Sequence, residues 1–390
     1  MIAPFQIAKG PRVRFGRGEA AFVGEEAKTL GMSRPMVLTD PGVAASGALD
    51  PLLDGLKKSG LEHHLYAEVE ADPSDTSMAR ASEAYASNNC TGLIAAGGGS
   101  TIDTAKAAGV LISNGGAIHD YFGFGNIPSP PPSLITVPTT AGTGSEVTCS
   151  AIVTDTGKKI KAVMASPLMF AQVAVVDPGL LAKMPGPVAA GTMMDALTHA
   201  IESMGSPKAG PWTRALCLEA IGNIGAHARR FVNDPSEPEA ASAISIASTW
   251  AGHSFTNTGL GIVHSLSHPI GSYHHVHHGT SNAIFLPPVM RFNLQAVRAD
   301  YAQIAPLLQH PDDEKIDSSS EAAPQAAINA IQSLVKDIGI PATLREAGVA
   351  DETDFKIMAK DAAESPQVLT NPIPASEADM LALLRAALDG

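Results

Sequence analysis

The segment GLIAAGGGSTIDTAKAAGVLIS, from Gly92 to Ser113, decides the fold of the first half of the chain. Its apolar run GLIAA is typical of a buried strand, and three glycines and a serine follow before an amphipathic, alanine-rich stretch. Small residues between a strand and a helix let backbone N–H groups approach a diphosphate, whose charge the helix dipole favours. The same pattern also fits a tight strand-to-helix turn that binds nothing.

Similar apolar runs alternate with helical patterns through the first part of the chain. The runs that end in turn residues are PMVLTD, HHLYAEV, GLIAAGGG, SLITVPTT and VAVVDP. Their alternation predicts an α/β dinucleotide-binding domain with a Rossmann-like, largely parallel sheet over residues 1–180. The segment VTCSAIVTDTGKKIKAVMA, with two β-prone runs on either side of a turn, predicts a β-hairpin.

The second part of the chain has a different pattern. From about Leu181 onward, alanine-rich segments with helical spacing replace the β-prone runs. We therefore predict that residues 181–390 form an all-α, metal-binding domain.

Four residues of the second part have the chemistry of a metal site. Asp195 and His199 lie four apart in DALTHAIES, so a helix places them one turn apart on one face. We expect His264 to end one helix and His278 to open the next, across a turn that contains Pro and Gly. Three imidazoles and one carboxylate can share a divalent ion and leave room for a substrate oxygen, as in catalytic sites.

Composition narrows the class of protein. A net charge of −13 argues against nucleic-acid or anionic-membrane partners. Three Cys without CxxC spacing support neither a disulfide framework nor a zinc ribbon, and no apolar stretch is long enough to span a bilayer. The first twenty residues carry charge before any long apolar run, so we expect no signal peptide and a cytoplasmic protein.

A second loop and one acidic residue add to the case for a dinucleotide. PTTAGTGSEVT (Pro138–Thr148) follows another strand, and its hydroxyls can bind ribose or phosphate oxygens at the edge where open α/β sheets bind ligands. Asp40 ends VLTD, where a carboxylate can accept both ribose hydroxyls and favour NAD over NADP, or can cap a helix. Because Asp40 precedes the glycines by more than fifty residues, we expect either a variant of the usual dinucleotide domain or a different domain.

Taken together, five motifs resemble the iron-containing (group III) alcohol dehydrogenase family. They are GGGSTIDTAK, PTTAGTGSEVT, DPGLL, DALTHAIES and GIVHSLSHPIGSYHHVHHGTSNAIFLPPVMRFN, in the order and spacing of the family. The resemblance runs from RVRFGRGEA to NPIPASEADMLALLRAAL, nearly end to end. It implies a two-domain, dehydroquinate synthase-like fold, NAD(H), and one catalytic divalent ion, usually Fe(II) and sometimes Zn(II), on Asp195, His199, His264 and His278.

The resemblance also implies which residues contact the cofactor and substrate. Asp40 binds the adenosine ribose, and Asp72 stands where relatives commonly have Asn near the adenosine. The other cofactor residues it implies are Gly97, Gly98, Gly99, Ser100, Thr139, Thr140, Thr143, Thr148, Lys161 and Leu180. Ser150 and Phe255 match substrate-pocket positions. His253 replaces a residue that is usually apolar, so it either alters that pocket or is a hydrogen-bonded core histidine.

The predicted chemistry is hydride transfer between the nicotinamide and a small alcohol or aldehyde. The ion stabilises the developing alkoxide as a Lewis acid. His268, one helical turn from His264, can face the same site and relay a proton, because imidazole titrates near neutrality. It can equally be a helix-terminal residue that packs before Pro269. The pocket motifs lack a convincing Arg or Lys, which favours a neutral substrate.

Three other functions are compatible with parts of this sequence. A dehydroquinate synthase-like lyase would also use NAD and a metal, but it requires a cluster of basic residues for a phosphate-bearing substrate. A 4-hydroxybutyrate or maleylacetate-type reductase and a non-catalytic nucleotide-binding protein are the others. We expect a homodimer or larger homo-oligomer, as is common in the family.

Overall fold

The computed structural model of the chain describes residues 5–158, 160–310, 312–313 and 316–390. Within them the chain forms two compact units, one of residues 8–184 and one of residues 5–7 and 185–390. The predicted boundary between residues 180 and 181 falls inside a 3₁₀ helix over Pro178–Lys183.

Nine strands are described in the first unit. They are β1 (Arg12–Phe15), β2 (Met36–Leu38), β3 (His64–Tyr66), β4 (Leu93–Gly97), β5 (Gly123–Phe124), β6 (Leu134–Pro138), β7 (Ser150–Asp155), β8 (Ile160–Ala165) and β9 (Val173–Val176). Six of them form a parallel sheet in the order β1-β9-β6-β4-β2-β3. The predicted hairpin is β7–β8, an antiparallel pair that β5 extends.

Helices cover both faces of the parallel sheet. Those of this unit are α1 (Val23–Thr29), α2 (Pro41–Ser46), α3 (Asp50–Lys58), α4 (Asp75–Ser87) and α5 (Gly99–Asn114). Because side chains alternate along a strand, Ile94 and Ala96 of β4 pack with α1 and α3, whereas Leu93 and Ala95 pack with α4 and α5. β4, the strand that leads into the glycine loop, is thus packed against helices on both faces of the sheet.

The described part of the second unit contains nine α-helices. They are α6 (Gly186–Gly205), α7 (Pro211–Asn233), α8 (Pro238–Thr258), α9 (Ile262–His274), α10 (His278–Asn293), α11 (Arg298–Leu308), α12 (Ala323–Asp337), α13 (Phe355–Ala363) and α14 (Glu377–Asp389). Sixteen consecutive residues of α6, Ala189–Met204, are buried. A helix buried on all sides lies at the centre of its bundle, and α6 packs against α7, α8 and α10. None of the helices described is both long and apolar enough to cross a membrane.

We predicted that His264 ends one helix and that His278 opens the next, and only the second part of this prediction is correct. His278 does open α10, but His264 lies in the first turn of α9 instead of ending α8. The break lies further upstream, where Gly259 has a positive φ of +72°, which glycine adopts readily, and α8 ends. The turn before α10 also differs: Pro269 lies inside α9, and the helix ends where His275 adopts φ +57°.

The segment around His278 lies where helices α10 and α6 cross closely. A Cβ added to Gly279 would lie 1.9 Å from the backbone oxygen of Gly191, so α10 and α6 touch backbone to backbone at this point. Only glycine at position 279 permits this approach. The first turn of α10 is therefore placed directly on the central helix.

We expect Gly279→Ala to destabilise the helical unit by about 1–3 kcal/mol, because the added methyl group must push α10 away from α6. Urea unfolding followed by far-UV circular dichroism measures the effect. The matched control is Gly222→Ala in α7, where the nearest atom to the new Cβ is 3.9 Å away. That substitution should stabilise the protein slightly, since alanine favours a helix interior over glycine. Equal effects of the two substitutions would contradict the close crossing.

Candidate active site

The four predicted metal ligands come together in the helical unit. Oδ1 of Asp195 lies 3.4 Å from Nε2 of His199, 3.4 Å from Nε2 of His264 and 3.5 Å from Nε2 of His278. Donor atoms of a tetrahedral ion with bonds of about 2.1 Å lie roughly 3.4 Å from one another. The donor atoms of Asp195, His199 and His264 all lie within 4.8 Å of one another, so these three side chains fit one divalent ion, and His278 approaches the carboxylate oxygen that they share.

Burial and charge also suit a cation at this point. The side chains of Asp195, His199 and His264 are at most 5 % exposed, whereas that of His278 is 34 % exposed. Burial by itself would raise the pKa of Asp195, but the three imidazoles outweigh it and hold that pKa well below its usual range. The carboxylate is thus ionised and available to a metal at any ordinary pH.

Glu202 is a functional candidate that the sequence analysis missed. His264 Nδ1–H donates to Oε2 of Glu202 at 2.6 Å, and the backbone N–H of Val263 donates to Oε1 at 2.7 Å. A hydrogen bond at Nδ1 fixes the tautomer that leaves the Nε2 lone pair for a metal. Its signal in the sequence was the spacing: Glu202 follows His199 by three residues, on the same face of α6.

Asn282 is the second residue that was missed. Its Nδ2 donates to Oδ1 of Asp195 at 2.7 Å and lies 3.3 Å from Nε2 of both His264 and His278. Its Oδ1 is buried and has no hydrogen-bond partner among the described residues. Asn282 follows His278 by four residues, so the helical spacing of HGTSN carried this signal. The Asn282 amide thus helps to orient the Asp195 carboxylate.

Two further aromatic side chains, those of His268 and Phe255, lie next to the four ligands. The ring of His268 lies 5.5 Å from that of His278 and 6.2 Å from that of His264, between ring centres. The Phe255 ring packs against His199 at 4.5 Å. The prediction that His268 shares a face with the ligands therefore agrees with its position.

His253, the predicted departure in the substrate pocket, is half-buried. Its Nδ1 is buried and has no hydrogen-bond partner among the described residues. Burial lowers the pKa of His253 and favours the neutral ring.

The glycine loop of the first unit has the structure that the sequence predicted. It joins β4 to α5, with Gly98 as the N-cap residue, and no side chain caps the first turn of this helix. A Cβ on Gly99 would lie 2.6 Å from a methyl carbon of Thr143, and one on Gly98 would lie 3.4 Å from Thr140. The two predicted cofactor loops thus pack against each other, and the first backbone N–H groups of α5 have no partner within the helix.

The remaining predicted cofactor residues differ in their surroundings. Oγ1 of Thr139 is buried without a hydrogen-bond partner among the described residues. Asp72 and Lys161 form an ion pair of 2.7 Å. Ser100 Oγ donates to the backbone oxygen of Ala71. Leu180 is 5 % exposed and packs in the hydrophobic core, so its contribution to a binding surface is small.

Asp40 caps a helix in this structure. Its Oδ1 accepts a hydrogen bond of 2.9 Å from the backbone N–H of Val43, in the first turn of α2. Capping uses one carboxylate oxygen, so the other can accept a hydrogen bond from a ribose hydroxyl.

Comparison with known proteins gives the family. A family model described as iron-containing alcohol dehydrogenase matches residues 10–178, and the model of the C-terminal part of that family matches residues 189–388. The chain belongs to the iron-containing alcohol dehydrogenase family. It is an oxidoreductase, as predicted, and the family assignment selects the dehydrogenase over the lyase and the non-catalytic alternatives.

Relatives of this alcohol dehydrogenase match over nearly their whole length. NAD-dependent methanol dehydrogenase from Bacillus methanolicus is 35% identical over 379 residues, which cover 97% of this chain and 98% of the relative. 1,3-Propanediol dehydrogenase from Citrobacter freundii is 36% identical over 375 residues, 96% of each chain. A solved structure of 1,3-propanediol oxidoreductase superposes with a TM-score of 0.93 at 35% identity and covers 100% of both chains. The predicted fold class, a parallel α/β unit followed by a helical unit, is confirmed.

We expect Glu202→Gln to weaken metal binding by about 10–100-fold, the usual loss when a partner of a ligating imidazole is removed. Glutamine presents one acceptor where the carboxylate presents two, so either His264 or Val263 loses its hydrogen bond. Chelator competition with Zn(II) measures the affinity. Glu219→Gln, an exposed position on α7, is the matched control and should leave the affinity unchanged.

Metal affinity should also depend on pH through His264. Burial lowers the pKa of this imidazole, but the Glu202 and Asp195 carboxylates outweigh burial and raise the pKa to about 9. Below that pH a proton competes with the ion, so the apparent affinity should rise by about tenfold per pH unit from pH 6 to 8. The slope should be shallower in Glu202→Gln. Identical slopes in both proteins would contradict the role of Glu202.

Proposed function

We propose that the enzyme is a metal-dependent NAD(H) alcohol dehydrogenase or aldehyde reductase that acts on a small, neutral substrate. The observation that carries this proposal is the spacing of 3.4–3.5 Å between the Asp195 oxygen and the three imidazole nitrogens. The names of the relatives, which act on methanol and 1,3-propanediol, support a short alcohol or aldehyde as the substrate.

In this proposal Asp195, His199, His264 and His278 hold the divalent ion, and Gly97–Ser100 hold the diphosphate of NAD(H). When bound, the ion supplies Lewis acidity to the substrate oxygen, and the nicotinamide accepts or donates the hydride. Fe(II) is the proposed native ion. Zn(II) binds the same kind of ligands more tightly, so a purified sample can carry either.

The side chains around the four ligands have their own roles. Phe255 packs against His199 and shields it from water. His268 stacks on His278 and is proposed to receive the hydroxyl proton of an alcohol, or to return it to an aldehyde. His253, with its neutral ring, and Ser150 are proposed to line the substrate pocket. Thr139, Thr140, Thr143, Thr148, Lys161, Leu180 and Asp72 are proposed to line the dinucleotide groove.

Assembly and location also remain proposals. β1 lies at the edge of the parallel sheet, with Val13 and Phe15 each 40% exposed, which supports pairing with a further chain in a homodimer or larger homo-oligomer. Cys90, Cys149 and Cys217 are free, which supports a cytoplasmic location.

The test is oxidation of NADH and NADPH with a panel of small aldehydes by Fe(II)-loaded, Zn(II)-loaded and chelator-stripped protein. We expect consumption of NADH that depends on the metal. His278→Asn should lower it by more than about 100-fold, because one ligand is lost. His275→Asn is the matched control: His275 is exposed on the same turn, and asparagine tolerates its left-handed backbone. An equal loss in both variants, or turnover by stripped protein, would refute the proposal.

The preference for NADH over NADPH is tested with Asp40→Asn. Asparagine is as good an N-cap as aspartate, so α2 stays capped while the negative charge near the proposed ribose site disappears. We expect the ratio of kcat/KM for NADH to that for NADPH to fall by about tenfold, which corresponds to about 1.4 kcal/mol. An unchanged ratio would mean that Asp40 only caps the helix.

A further inference from the structure

Three side chains of the α/β unit form a further group of metal-ligand type, in addition to the four ligands of the helical unit. Asp75 is the first residue of α4, His119 lies in a 3₁₀ helix over Ile118–Tyr121, and Asp155 is the last residue of β7. Nε2 of His119 lies 3.1 Å from Oδ2 of Asp75 and 3.7 Å from Oδ1 of Asp155. One donor atom of each side chain lies within 4.8 Å of those of the other two. The two distances bracket the roughly 3.4 Å between donor atoms around a tetrahedral ion.

The two carboxylates of this group are largely removed from water. The side chain of Asp155 is 3% exposed, and that of Asp75 is 10% exposed. Oδ1 of Asp155 accepts a hydrogen bond of 2.9 Å from the backbone N–H of Lys158. Oδ2 of Asp155 is buried and has no hydrogen-bond partner among the described residues. Because a buried charged oxygen without a partner is costly, this carboxylate indicates a cation as its ligand.

The positive charges near the two carboxylates do not balance them. An imidazolium at His119 carries one charge, and its Nε2 has a single N–H to donate. Nζ of Lys158 lies 3.9 Å from Oδ2 of Asp155, too far for a hydrogen bond, and the Lys158 side chain is 73% exposed. Such an exposed ion pair contributes little. A divalent cation would neutralise both carboxylates and use the Nε2 lone pair of a neutral His119.

Hydrogen bonds of the chain hold these elements together around the three side chains. Oδ1 of Asp75 accepts a hydrogen bond of 2.9 Å from Oγ1 of Thr156, which leaves Oδ2 facing His119. The backbone N–H of Thr154 donates to the backbone oxygen of Pro73 at 2.8 Å, so the end of β7 is joined to the segment before α4. The His119 side chain is 45% exposed, and an ion can therefore enter from this side.

We propose that Asp75, His119 and Asp155 form a second metal site, which binds a divalent transition-metal ion such as Zn(II). An imidazole ligand favours such an ion over Mg²⁺ or Ca²⁺, which prefer oxygen ligands alone. The ion links α4, the 3₁₀ helix and the β7–β8 hairpin, so its role is to stabilise the α/β unit. This inference does not depend on the proposed function, because none of the three side chains belongs to the proposed catalytic site.

The first experiment is equilibrium dialysis of the chelator-stripped full chain against Zn(II) buffered at about 10 μM, followed by metal analysis. We expect the wild type to bind one ion per chain more than His119→Gln, which lacks the imidazole nitrogen. Asp75→Asn should lose the same ion, although its amide oxygen can still accept the hydrogen bond from Thr156. The matched control is His63→Gln, a histidine of the same unit outside the group, which should bind as much Zn(II) as the wild type.

The second experiment is hydrogen exchange of the β7–β8 hairpin. On addition of Zn(II), exchange of peptides that cover residues 150–165 should slow by about threefold or more in the wild type, because the ion ties the end of β7 to α4. We expect no such change in His119→Gln. His63→Gln should respond like the wild type.

Each result has a separate meaning. Equal Zn(II) binding by the wild type, His119→Gln and Asp75→Asn would overturn the inference and leave the group as an ion pair between one imidazole and two carboxylates. An equal loss in His63→Gln would overturn it too, since the bound ion would then not be specific to this group. With Fe(II), NADH oxidation by His119→Gln should stay within about twofold of the wild type, because its four proposed catalytic ligands are intact. Absence of turnover in both proteins would overturn the proposed function and leave the Zn(II) comparison unaffected.

Discussion

The structure depends on burying two carboxylates beside imidazole groups in the middle of an apolar helical bundle. Asp195 and Glu202 lie two turns apart on α6, and both are within hydrogen-bonding distance of partners on α9 or α10. An isolated buried charge is very costly, so each must find partners of opposite charge or with donor groups. The surrounding helices must therefore be placed to within a fraction of an ångström.

This requirement explains features that look unrelated. α6 is buried along sixteen residues, so its two carboxylates are removed from water and need partners on neighbouring helices. Gly191 and Gly279 let α10 approach α6 closely enough for Asn282 to reach Asp195. In the α/β unit, the buried ammonium of Lys106 is satisfied in the same way, by acceptors that the chain supplies from one short segment.

Much of this arrangement could be predicted from the sequence, because the deciding signals are local. The parallel sheet, the hairpin, the glycine loop and the pair Asp195–His199 each depend on spacing within one segment, and the structure agrees with them. The position of His264 in its helix was mispredicted, because Pro269 suggested a break that tertiary packing overrides. The bond from His264 to Glu202 joins residues 62 positions apart; the spacing of Glu202 from His199 places Glu202 on the ligand face but does not reveal this partner. Asp40 shows another limit: the same carboxylate geometry suits a helix cap and a ribose acceptor.

The uneven burial of the four ligands has a consequence for how the protein is handled. Three of the side chains are almost inaccessible, whereas His278 is the first residue of its helix and about a third exposed. Helix ends open more readily than helix interiors. A metal ion bound to these four ligands would therefore exchange with ions in solution by way of His278. The ion in the site would then depend on the ions present in the most recent buffer. The activity of a preparation would change with storage time as the ion exchanges.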